Sequence, residues 1–265
     1  MAGAAPSQTL SRKLRSDGDG LLLLSHYPPG GEQPRHAHDH VQISFLLAGR
    51  IEESIGARTY APIAAGACIK KAGTDHCDRW GRHGALMLSL RLDRVDSDED
   101  APADSWARAD LKRVSLILRS AMADEGGAGT GLLAADLLAC IGAAEPGRGA
   151  PPRWLERVRE AATELADFSL ARAAEGAGVH RVHLSRAFAR HYGLPLSVYR
   201  QRVRIARALS GSVRRREEPL AAIAHCAGFA DQSHMTRALR SATGATPGGL
   251  RRLLSPAAAD SGRRL

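Results

Sequence analysis

One pattern occurs twice in this sequence and constrains its fold more than any other feature. The segment SLARAAEGAGVHRVHLSRAFARHYG, Ser169 to Gly193, reads as a helix, a corner and a second helix. Ser169 suits a helix start because its hydroxyl accepts from the unbonded N–H groups of the first turn; Leu170, Ala173 and Ala174 then face inward. Gly178 tolerates the positive φ of a tight corner. The next helix packs through Val182 or Leu184, Ala187 and Phe188, and its other face carries Arg181, Ser185, Arg186 and Arg190. The segment PLAAIAHCAGFADQSHMTRALRSATG, Pro219 to Gly244, repeats this plan. Pro219 fits a first helical turn, Ala227-Gly228-Phe229 makes the corner, and Met235 and Leu239 pack. Gln232, Ser233, Thr236 and Arg237 stay on the free face. Gly178-Val179 lies over Gly228-Phe229, and Gly193 over Gly244. Between the copies, SVYRQRVRIARALSGS predicts a long helix with Val203, Ala206 and Leu209 on one side and arginines on the other.

Charge follows the same division. Residues 1–145 hold 16 basic and 19 acidic side chains, whereas residues 146–265 hold 21 arginines against 9 acids. The net charge of +9 therefore belongs to the second half. A concentrated positive charge is the electrostatic footprint of a polyanionic partner, nucleic acid first and a membrane surface next.

The first half reads differently. Residues 1–20 are polar and expected to be loose. From Leu21 to Leu92, short apolar runs broken by Gly and Pro predict the strands and turns of an all-β module. In HAHDHVQ, three histidines recur at every second position, so His36, His38, His40 and Gln42 share one face of a strand. Val41, Ile43, Phe45 and Leu47 take the other face. DRVDSDEDAPADS, 93–105, reads as a solvated linker. An amphipathic helix over 106–122 and a second from Gly131 to Ala144 follow, as core or as a dimer surface. Cys68, Cys77, Cys140 and Cys226 form no CxxC pair and read as buried thiols in a reducing compartment. No apolar run is long enough to span a bilayer and no signal peptide is legible, so the expected location is cytoplasmic and no membrane partner is expected. EPGRGAPP, Glu145–Pro152, is the clearest boundary.

The second half, about Trp154 to Leu254, resembles the DNA-binding domain of the AraC/XylS family of bacterial transcription regulators. The matching elements are the first two-helix unit, the linker helix Arg202–Leu209, GFADQSHMTRAL, and GATP at Gly244–Pro247. Two departures are a long connection at Arg214–Glu218 and Leu250 where the family commonly has an aromatic residue. The resemblance implies double-stranded DNA as partner. Arg can bridge guanine O6 and N7, and Gln adenine N6 and N7. The candidates for base contact are Arg181, Val182, Ser185 and Arg186 in the first unit, and Gln232, Ser233, Thr236 and Arg237 in the second. Arg190, Arg200, Arg204 and Arg240 are candidates for phosphate contact.

The β-module resembles a cupin barrel, with His36-x-His38, Gln42 and Gly49 as its first motif and Gly66, Gly73 and His76 as its second. By that resemblance His36, His38, Gln42 and His76 are the effector or metal residues. Three imidazoles suit a divalent metal, but Gln42 replaces an anionic ligand.

The expected architecture is α+β with two domains. A cupin-like β-barrel with a helical hairpin (21–145) is joined by a linker (146–152) to an all-α domain with two helix–turn–helix units and a linker helix (153–256), followed by a flexible tail (257–265). The expected function is sequence-specific, effector-responsive transcription regulation, by a homodimer and without catalysis; an activator would also contact RNA polymerase. The effector is a small molecule or a metal. The competing reading is a metal-dependent cupin enzyme with an accessory DNA-binding domain.

Overall fold

The computed structural model describes residues 8–62, 66–93, 104–123, 129–144, 151–164 and 167–255. Most of the acidic stretch at 93–105, most of the 146–152 linker and the 257–265 tail lie outside these residues. Contacts divide the chain into two compact units, Met1–Glu145 with Ile205–Leu265, and Pro146–Arg204.

The first unit is built on one antiparallel sheet of nine strands. These are β1 (Leu10–Ser16), β2 (Gly20–Tyr27), β3 (Glu32–His36), β4 (Val41–Ile55), β5 (Arg58–Tyr60), β6 (Gly66–Lys70), β7 (His76–Leu92), β8 (Ser105–Ala109) and β9 (Ile141–Ala144). The path runs β1-β2-β7-β4-β6-β8-β9, with β3 on β7 and β5 on β4. The long strands β4 and β7 pair from Val41↔Leu92 to Ile55↔His76, broken by two bulges. Gly49 is required beside the second bulge. Its φ is +95°, and a Cβ there would stand 2.2 Å from the Gly84 carbonyl oxygen.

Alternation along these strands separates two faces. Leu22, Leu24, Ile43, Phe45, Leu86, Leu88 and Leu90 form one face and pack under helices. Leu46, Ile51, Ile55, Cys68, Trp80, Met87 and Trp106 line the other. The covering helices are α1 (Leu111–Ala123) and α2 (Thr130–Leu138), joined by the end of α6 (Leu196–Arg214) and by α7 (Leu220–Cys226), α8 (Gln232–Thr243) and α9 (Pro247–Leu253). Leu118, Leu137, Leu209, Ile223, Met235 and Leu239 continue the same buried cluster.

Several expectations are corrected here. Residues 1–20 are not loose throughout, because β1 pairs with β2 from Leu10↔His26 to Ser16↔Leu21. The helix expected over 106–122 begins at Leu111. Residues 105–109 form β8 instead, with Trp106 paired to Cys68 and buried among aromatic and aliphatic neighbours. Helix α2 stops at Leu138, and residues 141–144 pair with β8 as β9. Of the four thiols, Cys68 and Cys140 are buried, whereas Cys77 is half-buried and Cys226 exposed.

The second unit contains α3 (Arg153–Glu164), α4 (Leu170–Gly176), α5 (Arg181–Tyr192) and the start of α6. Its core holds Leu155, Val158, Ala174, Leu184, Phe188 and Tyr199. The Phe188 ring lies 4.6 Å from that of Tyr192 and 5.4 Å from that of Tyr199, centroid to centroid.

Candidate functional site

The two copies read from the sequence close their corners with the same hydrogen bonds. In the first, Gly178 N–H donates to the Glu175 carbonyl and Val179 N–H to that of Ala174; in the second, Gly228 donates to His225 and Phe229 to Ala224. Gly178 has φ +65° and Gly228 +83°, the left-handed conformation that glycine adopts without a Cβ penalty. Ser169 accepts from Arg172 N–H at the start of α4 as expected. The second helix of each copy also has a side-chain cap. His180 Nδ1 accepts from Val182 N–H, and Asp231 Oδ1 accepts from His234 N–H at 2.7 Å. Gly193 and Gly244 end these helices in the left-handed conformation.

This framework fixes which side chains are presented. On α5, Leu184 and Phe188 are fully buried, while Arg181, Val182, Arg186 and Arg190 are exposed and Ser185 is half-buried. Val182 is 48% exposed, so Leu184 is the packing residue of the pair. On α8, Met235 and Leu239 are buried; Gln232, Ser233, Arg237 and Arg240 are exposed and Thr236 is half-buried. Arg200 differs from the others. Its Nη1 donates to the Phe168 carbonyl at 2.8 Å and its guanidinium lies 4.9 Å from the Phe168 ring centroid, so it braces the chain before α4. Arg204 is half-buried, with its Nε bonded to nothing.

The two departures noted in the sequence have structural answers. The Arg214–Glu218 connection is clamped by Arg251, which donates to the carbonyls of Ser212 and Glu218 at 2.9 and 2.7 Å. Leu250 is fully buried in α9 and takes the packing position without an aromatic ring.

Residues 173–253 match the family model described as a helix-turn-helix domain. This stretch is an AraC-type helix–turn–helix domain. It places the chain among the DNA-binding transcriptional regulators. No curated protein matches the chain. Solved structures resembling parts of it include the C-terminal domain of AraT, a response regulator from Geobacillus stearothermophilus (24% identity, 39% of this chain and 88% of that one, TM-score 0.36). KdgF from a Halomonas species (18%, 33% and 81%, TM-score 0.31) and an RmlC-like cupin from Shewanella frigidimarina (16%, 33% and 78%, TM-score 0.31) are two more. At these scores the assignment of the AraC-type domain rests on the family model.

The inner face of the sheet encloses a polar cavity of about 100 Å³. Its wall brings together all four residues expected there, His36, His38, Gln42 and His76. The expected route is corrected: HAHDHVQ is not one strand. β3 ends at His36 and β4 begins at Val41, so His38 and His40 stand on the connection between them. One nitrogen each of His36, His38 and His76 lies within 4.8 Å of the others. His36 Nδ1 bonds the Pro34 carbonyl at 2.8 Å and His76 Nδ1 that of Thr74 at 3.1 Å. In His36 the other nitrogen, Nε2, is buried without a partner. Burial, then the neighbouring imidazoles, pull the His38 pKa down to about 4, so it is neutral at pH 7. A set of three imidazoles, two of them oriented by backbone carbonyls, is the donor chemistry a divalent metal takes. The Gln42 amide instead donates to Ser44 Oγ at 2.8 Å.

Sequence reading missed the buried charges beneath the histidines. Lys70 Nζ lies 2.6 Å from Glu53 Oε1, and the Trp106 indole donates to Oε2 at 2.6 Å. Burial, the largest single influence, would raise the Glu53 pKa, but the Lys70 ammonium and the hydrogen bonds from Lys70 and Trp106 together hold it below the ordinary value. Burial, then the Glu53 carboxylate opposite, push Asp78 up to about 8, so it is a protonated acid at neutral pH. The signal was present: in RIEESI, Glu53 stands between Ile51 and Ile55 on the face that alternation turns inward.

Proposed function

We propose that the chain is a one-component regulator with two functional domains, residues 21–145 and 153–256. The exposed ends of α5 and α8 read operator DNA, and a ligand in the sheet's inner cavity sets that affinity. The observation that carries the reading is the doubled corner, which leaves Arg181, Ser185, Arg186, Gln232, Ser233 and Arg237 in the first two turns of two helices while the opposite faces are buried. An α-helix fits the major groove, where base edges display distinct donors and acceptors, and such recognition helices contact bases through their N-terminal residues. Arg190, Arg204 and Arg240 serve as phosphate contacts, which fix register without reading sequence. Selection of bound duplexes from a random pool tests this: enrichment of one motif supports it, and no enrichment removes it.

For the cavity, the three histidines favour a divalent metal held by His36, His38 and His76, used for sensing rather than turnover. Elemental analysis of full-length protein, beside a His36→Ala/His38→Ala variant, tests this. Near-stoichiometric metal in the parent alone supports a metal effector and leaves metal-dependent catalysis to be assayed. No metal in either directs the search to small polar organic effectors. A homodimer is the proposed assembly. Its support is Leu116 on α1 and Leu132 and Leu138 on α2, which are 57%, 63% and 42% exposed. Action in the cytoplasm, and contact with RNA polymerase if it activates, complete the proposal. Among the described residues no helix is long and apolar enough to cross a membrane.

A further inference from the structure

Arg91 lies in the wall of the histidine-lined cavity, and the chemistry described so far leaves it unused. It stands on β7, where alternation turns Met87, Ser89 and Arg91 to the same inner face. The strand register sets it in a row. Arg91 pairs with Gln42 of β4, and Gln42 pairs on its other side with Lys70 of β6. Two cations therefore flank one neutral amide, their backbones about 10 Å apart at ordinary strand spacing.

The two cations are not treated alike. Lys70 Nζ has the Glu53 carboxylate at 2.6 Å. Half-buried Arg91 has its Nε buried with no hydrogen-bond partner among the described residues, although two carboxylates share its cavity. Glu53 is taken up by Lys70 and the Trp106 indole, and Asp78 is its direct cross-strand neighbour. Asp78 Oδ1 is itself buried and bonded to nothing, so it does not serve Arg91. A buried guanidinium nitrogen without an acceptor costs stability, and an anion entering the cavity supplies that acceptor. A carboxylate fits best. Its two oxygens match the guanidinium fork, and its single charge balances the single cation that Glu53 leaves over.

The neighbours of Arg91 describe the rest of the ligand. Ser44 and Ser89 pair across β4 and β7, and Ser11 and Ser25 across β1 and β2, all four in the same wall. Their hydroxyls meet at 3.5 and 2.8 Å, and each pair keeps a hydrogen and lone pairs to offer a hydroxyl or carbonyl oxygen. A cavity of roughly 150 Å³ encloses a benzene ring, so one of about 100 Å³ takes about five non-hydrogen atoms.

We propose that Arg91 is the anion anchor of this cavity and that its ligand is a short carboxylic acid, of about two or three carbons, carrying a hydroxyl or keto oxygen. This rests on reading the inner cavity as the effector site, and it does not require a metal there.

The test is calorimetry on full-length protein purified without chelator. The probes are glycolate, lactate, glycerate, glyoxylate and pyruvate, beside the neutral glycolamide and lactamide and inorganic phosphate, at constant ionic strength set by chloride. Saturable binding of at least one acid is expected, weaker by about tenfold or more in Arg91→Met and not matched by the amides. Arg91→Lys keeps the charge and the packing of the stem but loses the fork, so it decides the matter if Arg91→Met fails to fold: it too should bind the acid more weakly. Duplex affinity measured with and without the bound acid tests the effector reading separately. Acid binding that depends on Arg91, with duplex affinity unchanged, supports the carboxylate site and removes its effector role. No saturable binding of any of the acids, binding that the folded variants leave unchanged, or tighter binding of phosphate than of every acid overturns the proposal.

Discussion

The Lys70 ammonium and the Glu53 carboxylate stand 2.6 Å apart, both side chains buried under the inner face of the sheet. The pair sits beside a neutral Asp78 and under His76, so the Lys70 cation compensates the one ionised carboxylate in that wall among the described residues. Removing one partner of such a pair strands the other charge. Lys70→Met should destabilise the protein by about 3–5 kcal/mol in urea unfolding, while Glu53→Gln/Lys70→Met recovers most of that loss. A single-variant loss below about 1 kcal/mol would be that of a solvated surface pair.

Gly244 ends α8 with φ +73°, and a Cβ there would stand 2.5 Å from the Ser115 carbonyl oxygen of α1. Both the conformation and the contact with α1 demand glycine. Gly244→Ala should lower stability by about 1–3 kcal/mol, read as a drop in melting temperature. An unchanged melt would mean that α8 does not rest on α1 in solution.

Asp17 ties the β1–β2 turn to α2 through the N–H and hydroxyl of Thr130. These bonds hold its pKa near 2, below the ordinary 3.8. A depressed carboxyl pKa contributes stability above the ordinary value, and that contribution disappears as pH falls through the folded one. The wild type should therefore lose more stability than Asp17→Asn between about pH 4 and 2, as seen in urea midpoints. Parallel pH profiles would show that the Thr130 contact does not persist.

In the AraC-type domain, Arg186 and Arg204 should behave differently. Arg186→Ala is expected to weaken specific binding by about 1–3 kcal/mol and to relax preference at one base pair. Arg204→Ala is expected to weaken binding to every sequence alike and to flatten the salt dependence. Binding-site selection with each variant separates the two, and an unaltered motif for Arg186→Ala would reassign that residue to the backbone.

The helical half was legible because its signals are local. Caps, corner glycines and buried positions fall at fixed offsets, and Ser169, Gly178, Gly193, Phe188 and Met235 all do in the structure what their spacing predicts. The β half was legible in kind but not in bounds. Trp106–Ala109 continues smoothly into a helical pattern, and only pairing with β6 and β9, distant in sequence, makes it a strand. The histidine face was found by a period of two that the backbone does not follow through His38, because β3 ends at His36. Its residues still meet, since β7 carries His76 opposite His36. Glu53, Lys70 and Asp78 escaped because three charges far apart in sequence read as ordinary surface until their strands pair. Glu53 and Asp78 are direct cross-strand neighbours, which no local pattern shows.

The most direct test of the account is equilibrium binding of full-length protein to a selected duplex and to a scrambled one at a fixed salt concentration, repeated with an Arg186→Ala/Arg237→Ala variant. The account predicts at least about 10³-fold preference for the selected duplex in the wild type and most of that preference lost in the variant, with non-specific affinity largely retained. Equal affinity for the two duplexes, or a preference unchanged by the double substitution, would contradict it.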